Sequence, residues 1–195
     1  MPASLPDGAG PLASDPRAAE HPALLARMRA VRLVVTDVDG VLTDGRIIVD
    51  DRGVETKHFH VYDGSAVWLL RRAGIETAIL SGRYARSVEH RAAELGIAEV
   101  HQGAKDKLAV FEQMRRRLGL EPQHCAYLGD DVLDVPLLRH VGLGVAPASA
   151  RAEARAAAAL VLATPGGRGA LRELADRLLA AQGKLAPLLR ERYGV

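Results

Sequence analysis

Arg32-Leu-Val-Val-Thr-Asp-Val-Asp-Gly-Val-Leu-Thr-Asp-Gly45 is the stretch that decides the fold. Its apolar run, Leu33 to Val35, reads as a buried strand. Gly40 lets the chain turn away sharply and leaves the carboxylates of Asp37 and Asp39 at the strand's carboxyl end. Residues two apart in extended chain project to the same side, so both aspartates face one pocket. Such a pair can share a metal or divide nucleophilic and proton-transfer duties. A lone Asp-Gly is usually a surface turn, but an apolar strand running into Asp-x-Asp-Gly-x-Leu-Thr-Asp is far rarer.

Working outward, short apolar runs recur at Thr77 to Leu80, Glu99 to His101, Ala126 to Leu128, Leu143 to Val145 and Leu160 to Leu162. Between them Val67, Leu70 and Ala73, then Val88, Ala92 and Leu95, then Leu108, Phe111, Met114 and Leu118 keep helical spacing. This alternation predicts a doubly wound, Rossmann-like α/β fold around a mostly parallel sheet. Arg46 to His60 breaks the pattern, because two β-prone segments flank the turn-forming Asp50-Asp51-Arg52-Gly53, and a β-hairpin is expected there. In an open parallel sheet, chemistry is sought just beyond the carboxyl ends of the strands.

That rule selects few positions. Ser81-Gly82-Arg83 follows the second predicted strand, and its hydroxyl, glycine amide and helix N-terminus together suit a phosphate; the plain alternative is an N-cap serine. Lys107 opens the next helix, where the dipole gives a cation no help, so an anionic partner would explain it. Gly129-Asp-Asp-Val-Leu-Asp134 places Asp130, Asp131 and Asp134 at a fourth strand end, although acidic residues also stabilise helix starts. Carboxylates gathered in one pocket repel unless a cation intervenes, and Mg²⁺ suits sparse carboxylates plus a substrate phosphate.

Composition narrows the setting. With 26 Lys plus Arg against 24 Asp plus Glu, the net charge of +2 argues against a nucleic-acid surface. The single Cys125 cannot pair within the chain, which favours a reducing, cytoplasmic location. Residues 1–28 are expected to be a disordered N-terminal tail, 29–184 the folded domain and 185–195 a C-terminal tail. No stretch of about 18 apolar residues suggests a membrane span.

These elements, in this order and each after a strand, resemble the four motifs of the haloacid dehalogenase superfamily, over Arg32 to about Lys184. The hairpin without a separate cap domain, Phe59-His-Val-Tyr-Asp-Gly64, the late Gly166-Gly-Arg-Gly-Ala-Leu-Arg-Glu173 and Ala181-Gln-Gly-Lys184 are similar to the small capless subgroup that includes the Kdo 8-phosphate (3-deoxy-D-manno-octulosonate 8-phosphate) phosphatases. The resemblance implies that Asp37 attacks phosphorus to form an aspartyl-phosphate while Asp39 acts as acid and then base. It implies Mg²⁺ held by Asp37, the Asp39 carbonyl and Asp130, supported by Asp131 or Asp134, with Ser81 and Lys107 on the phosphate. Substrate contact is implied for His60, Asp63, Gly64, Gly82, Arg83, Arg91 and Arg168. It further implies a homotetramer in which Arg168 and its flanking glycines complete a neighbour's site, so a chain ending before Gly166 is expected to fold yet lose function. The implied reaction is hydrolysis of a phosphorylated sugar acid in lipopolysaccharide biosynthesis.

Trp68 and Tyr62 depart from the subgroup's pattern, where basic residues occur. Trp68 is read either as pocket wall or as ordinary core. His58 is read as hairpin surface, since it has no partner at metal-ligand spacing. Three alternatives stay open: a phosphatase for nonulosonate 9-phosphates, a noncatalytic domain, and a receiver-like signalling domain. The last has no use for Asp39, because a receiver needs a slow phospho-aspartate.

Overall fold

The structure, a computed structural model, describes residues 22–194. Its centre is a six-stranded sheet formed by β1 (Leu33–Thr36), β4 (Glu76–Leu80), β5 (Glu99–His101), β6 (Cys125–Leu128), β7 (Leu143–Ala146) and β8 (Leu160–Val161). The order is β5-β4-β1-β6-β7-β8 and every pairing is parallel. The six predicted strands are all present, and their periodicity explains their placement. Val34 packs with one hydrophobic cluster, while Leu33 and Val35 pack with the other on the opposite face.

Helices cover both faces. Against the first pack α1 (Pro22–Ala30), α2 (Val61–Arg72), α3 (Arg86–Leu95), α7 (Ala170–Ala181) and Leu185 of α8 (Leu185–Tyr193). Against the second pack α4 (Lys107–Arg117), α5 (Val135–His140) and α6 (Ala152–Ala157). The chain leaves β1 first toward β4 and β5, then returns to β6 and continues the other way. The switch point beside β1 is therefore where a crevice opens.

The expected hairpin is present, with β2 (Ile48–Val49) paired antiparallel to β3 (Glu55–Thr56). Asp50 Oδ1 accepts from the amides of Arg52 and Val54, and Gly53 takes a φ of 76° that the turn requires. One expectation needs correction, at the N-terminal side. Of the N-terminal tail expected over 1–28, residues 1–21 lie outside the described residues, but 22–28 belong to α1, whose Met28 is buried in the core. Residues 185–193 of the C-terminal tail likewise form a helix, whose Arg192 guanidinium lies 4.2 Å over the Trp68 ring. Trp68 packs against the core on that side, which favours its core reading.

Candidate active site

A pocket of about 530 Å³ opens at the switch point, lined by Asp37, Asp39, Ser81, Gly82, Arg83, Lys107, Asp130, Asp131 and Asp134 among others. Three strands supply it. β1 delivers Asp37 and Asp39, β4 runs into Ser81, and β6 runs into Gly129 and Asp130. Two glycines permit the crowding. Gly40 adopts a φ of 83°, and a Cβ there would lie 2.0 Å from Asp130 Oδ2; one on Gly166 would lie 1.8 Å from the Gly40 carbonyl oxygen.

Lys107 is the hub. Its side chain is only 5% exposed, and Nζ donates to Asp37 Oδ2 at 2.7 Å, to Asp134 Oδ1 at 2.7 Å and to the Tyr127 hydroxyl at 3.2 Å. Burial would lower its pKa, but the Asp37 and Asp134 carboxylates outweigh that and raise it. The anionic partner expected for a cation at a helix start thus belongs to the protein itself.

Asp134 is fully committed. Its Oδ1 takes Lys107 and the Tyr127 hydroxyl at 2.6 Å, and its Oδ2 takes the amides of Asp130 at 2.8 Å and Asp131 at 3.1 Å. Asp131 is exposed and accepts from the Val132 amide, so it caps the short turn Val132–Asp134. Asp37 and Asp130 are different. Burial raises Asp37 to about 6, with Lys107 opposing and Asp134 adding to the rise. Burial likewise pushes Asp130 to about 7, helped by Asp37 and Asp134. Asp130 Oδ1 is buried with no hydrogen-bond partner. Oxygens of Asp37, Asp130 and Asp134 lie within 4.8 Å of one another. With Asp134 saturated, Asp37 and the orphaned Asp130 oxygen present a hard, anionic pair that fits a small divalent cation.

Asp39 meets Lys57 through Oδ1, and Arg83 Nε lies 3.7 Å from Oδ2. Lys57 was not singled out from sequence. Ser81 is buried, with Oγ accepting from the Arg83 amide at 3.3 Å, and Gly82 passes close to the Lys107 side chain.

Five expected substrate residues lie outside this pocket. His60, Asp63 and Arg91 line a separate small cavity with Phe59 and Leu171, and Gly64 backs onto Arg91. Asp63 Oδ1 accepts from the Arg172 amide at 3.2 Å, tying the start of α2 to the start of α7, and burial raises its carboxyl to about 6. His60 caps α2 by accepting from the Tyr62 amide, and Arg91 pairs with Glu94 at 2.8 Å. Arg168 is exposed. Its flanking glycines serve the chain's own fold: Gly167 donates to the Val41 carbonyl at 2.9 Å, and a Cβ on it would strike the Asp44 amide. A chain ending before Gly166 would also lose α7, which contributes six buried side chains, so the expectation that it folds is withdrawn.

The chain is similar to known enzymes. A haloacid dehalogenase-like hydrolase family model matches residues 53–142. The 3-deoxy-D-manno-octulosonate 8-phosphate phosphatase KdsC of Escherichia coli K12 is 42% identical over 183 residues, spanning 94% of this chain and 93% of that protein. The Moraxella catarrhalis 3-deoxy-D-manno-octulosonate 8-phosphate phosphatase, solved with magnesium, phosphate and Kdo, superposes with a TM-score of 0.84 at 37% identity, covering 86% of this chain and 97% of that one. The cobalt-bound form of the Haemophilus influenzae deoxy-D-mannose-octulosonate 8-phosphate phosphatase YrbI gives 0.80 at 39% identity, covering 82% and 94%. The chain belongs to the haloacid dehalogenase-like hydrolases, within the family of the 3-deoxy-D-manno-octulosonate 8-phosphate phosphatases.

Proposed function

We propose that the protein hydrolyses Kdo 8-phosphate to Kdo and phosphate through an aspartyl-phosphate on Asp37. The observation that carries this reading is the pocket in which Asp37, Asp39, Ser81, Lys107 and Asp130 converge at the switch point of a chain so similar to named phosphatases. Asp37 is the nucleophile. Its Oδ1 is oriented by the Val38 amide at 2.7 Å and its Oδ2 by Lys107. Asp39 gives a proton to the departing sugar oxygen and then takes one from the attacking water. Ser81, the Gly82 amide and Lys107 bind the phosphate oxygens.

Mg²⁺ would be held by Asp37, Asp130 and the Asp39 carbonyl, and when bound it neutralises charge on the phosphoryl group. Asp134 and Asp131 act one step removed: Asp134 holds Lys107 and the 130–131 backbone, and Asp131 caps the turn. Arg83, half exposed at the rim, is placed for the sugar's carboxylate.

Arg168, exposed on the loop before α7, enters this proposal through a homotetramer, as a contribution to a neighbour's pocket, whereas Asp63 serves the chain's own fold. Exposed Ile47 and Leu133 at the pocket wall, with Val49 and Val54 on the hairpin, support such assembly. A cytoplasmic setting and a role in lipopolysaccharide synthesis belong to the same proposal. Among the described residues no helix is long and apolar enough to cross a membrane.

A panel of phosphorylated sugars with Mg²⁺ tests the assignment. Kdo 8-phosphate should give the highest kcat/KM; a nonulosonate 9-phosphate in first place would replace the substrate, and no phosphate release from any member would reject the enzyme.

A further inference from the structure

The hairpin brings a buried cation to the pocket. Lys57 follows β3, and its side chain is 2% exposed although it ends in an ammonium group. An ammonium taken out of water is costly unless it is paired. Here it is paired twice, with Asp39 Oδ1 and, at 2.9 Å, with Glu55 Oε1. Glu55 Oε2 accepts from Arg83 at 2.7 Å, and Arg83 Nε stands 3.7 Å from Asp39 Oδ2. Asp39, Lys57, Glu55 and Arg83 therefore close a ring of alternating charge joining the loop after β1, the hairpin and the loop after β4. The two cations are not equivalent, because the Arg83 side chain is 49% exposed whereas Lys57 is shut away. An incoming anion can draw Arg83 off Glu55 while Lys57 keeps its hold on Asp39.

We infer that Lys57 is a positioning residue for Asp39, a role that rests on the reading of Asp39 as the proton-transfer group. By engaging Oδ1, Lys57 fixes the carboxylate's rotation and leaves Oδ2 as its working atom. Oδ2 is buried and has no hydrogen-bond partner, on a residue that lines the pocket. In hydrolysis of the aspartyl-phosphate, a water oxygen bonds to phosphorus, the Asp37–phosphorus bond breaks with its electron pair returning to Asp37, and a water proton passes to Asp39. That step needs Oδ2 correctly aimed. Formation of the aspartyl-phosphate from an aryl phosphate does not, since an aryloxide departs without a proton. Loss of Lys57 therefore slows the second half-reaction more than the first, which a general loosening of the fold would not do.

Rapid mixing of Lys57→Met with p-nitrophenyl phosphate and Mg²⁺ separates the two steps. The expected result is a burst of about one nitrophenolate per site followed by turnover roughly 10- to 100-fold below the parent protein. Acid-quenched protein should carry a phosphoryl group by intact mass. Burst and turnover slowed in equal proportion, or turnover equal to the parent's, would overturn the inference. If Lys57→Met melts below the assay temperature, Lys57→Gln is judged by the same two rates. Failure of the phosphatase reading itself would look different, because the parent protein would then release no nitrophenolate.

Discussion

Lys107 Nζ stands 2.7 Å from Asp37 Oδ2, and a second carboxylate, Asp134, holds the same ammonium from the other side at the same distance. On the proposed reading of Lys107, the cation that faces a substrate phosphate is thus in place before any phosphate arrives. Binding needs no rearrangement of Lys107, only an exchange of part of its hydrogen bonding.

Removing that cation exposes the cost of the cluster. Lys107→Met leaves Asp37, Asp130 and Asp134 facing one another in a buried pocket, and a loss of about 3 kcal/mol is expected in metal-free buffer. Mg²⁺ should recover part of it by supplying positive charge. Denaturant titrations with and without Mg²⁺ check this; a variant as stable as the parent in metal-free buffer would contradict it.

The pH dependence has a definite sign. The carboxyls of Asp37, at about 6, and Asp130, at about 7, bind protons more tightly in the folded protein than in the unfolded chain, where they titrate near 4. Their contribution to stability is therefore complete at low pH and is lost as pH rises from about 4 through about 7. Mg²⁺ competes with those protons, so its stabilising increment should be larger at pH 8 than at pH 5.5. Melting curves at the two pH values, with and without Mg²⁺, read it directly. An increment independent of pH would remove Asp37 and Asp130 as the cation's ligands.

Gly166 and Gly53 make a matched pair. Gly166→Ala drives a Cβ into the Gly40 carbonyl, so it should cost roughly 1–3 kcal/mol and displace the loop carrying Asp39, with a large fall in kcat. Gly53→Ala meets nothing within 4 Å and pays only for its positive φ, about 1 kcal/mol, with activity retained. Comparable activity losses in the two variants would refute the idea that the Gly166 approach shapes the site.

Asp63 distinguishes a strut from a ligand. Its carboxylate accepts from the Arg172 amide, so Asp63→Ala should cost about 1–2 kcal/mol while Asp63→Asn, which keeps an acceptor, costs less. Both should leave KM for Kdo 8-phosphate within a few-fold. A large rise in KM for the fully stable Asn variant would return Asp63 to the substrate.

The sequence made the sheet legible because each buried strand is a short apolar run, and it made Asp37, Asp39, Ser81, Lys107 and Asp130 legible because each directly follows a strand or opens a helix. Lys57 escaped notice because its partner is 18 residues away and only the folded hairpin joins them. Asp63 and Arg91 were expected to touch substrate through the family resemblance alone, and residue type does not reveal whether a charged side chain faces substrate or the chain's own fold. The first helix was hidden by Pro22 and by the expectation of a disordered tail, although Leu24 and Met28 already stand at helical spacing and pack on the core. The close approach of Gly166 to Gly40 spans more than a hundred residues, beyond the reach of any local pattern.

On the proposed mechanism the phosphoryl group passes through Asp37. Phosphate release from Kdo 8-phosphate with Mg²⁺, measured for the parent and for Asp37→Asn at matched fold by circular dichroism, tests it most directly. An amide cannot form the aspartyl-phosphate, so the variant should lose about 10⁴-fold or more in kcat while keeping its secondary structure. A folded Asp37→Asn protein that releases phosphate at the parent's rate would contradict the account.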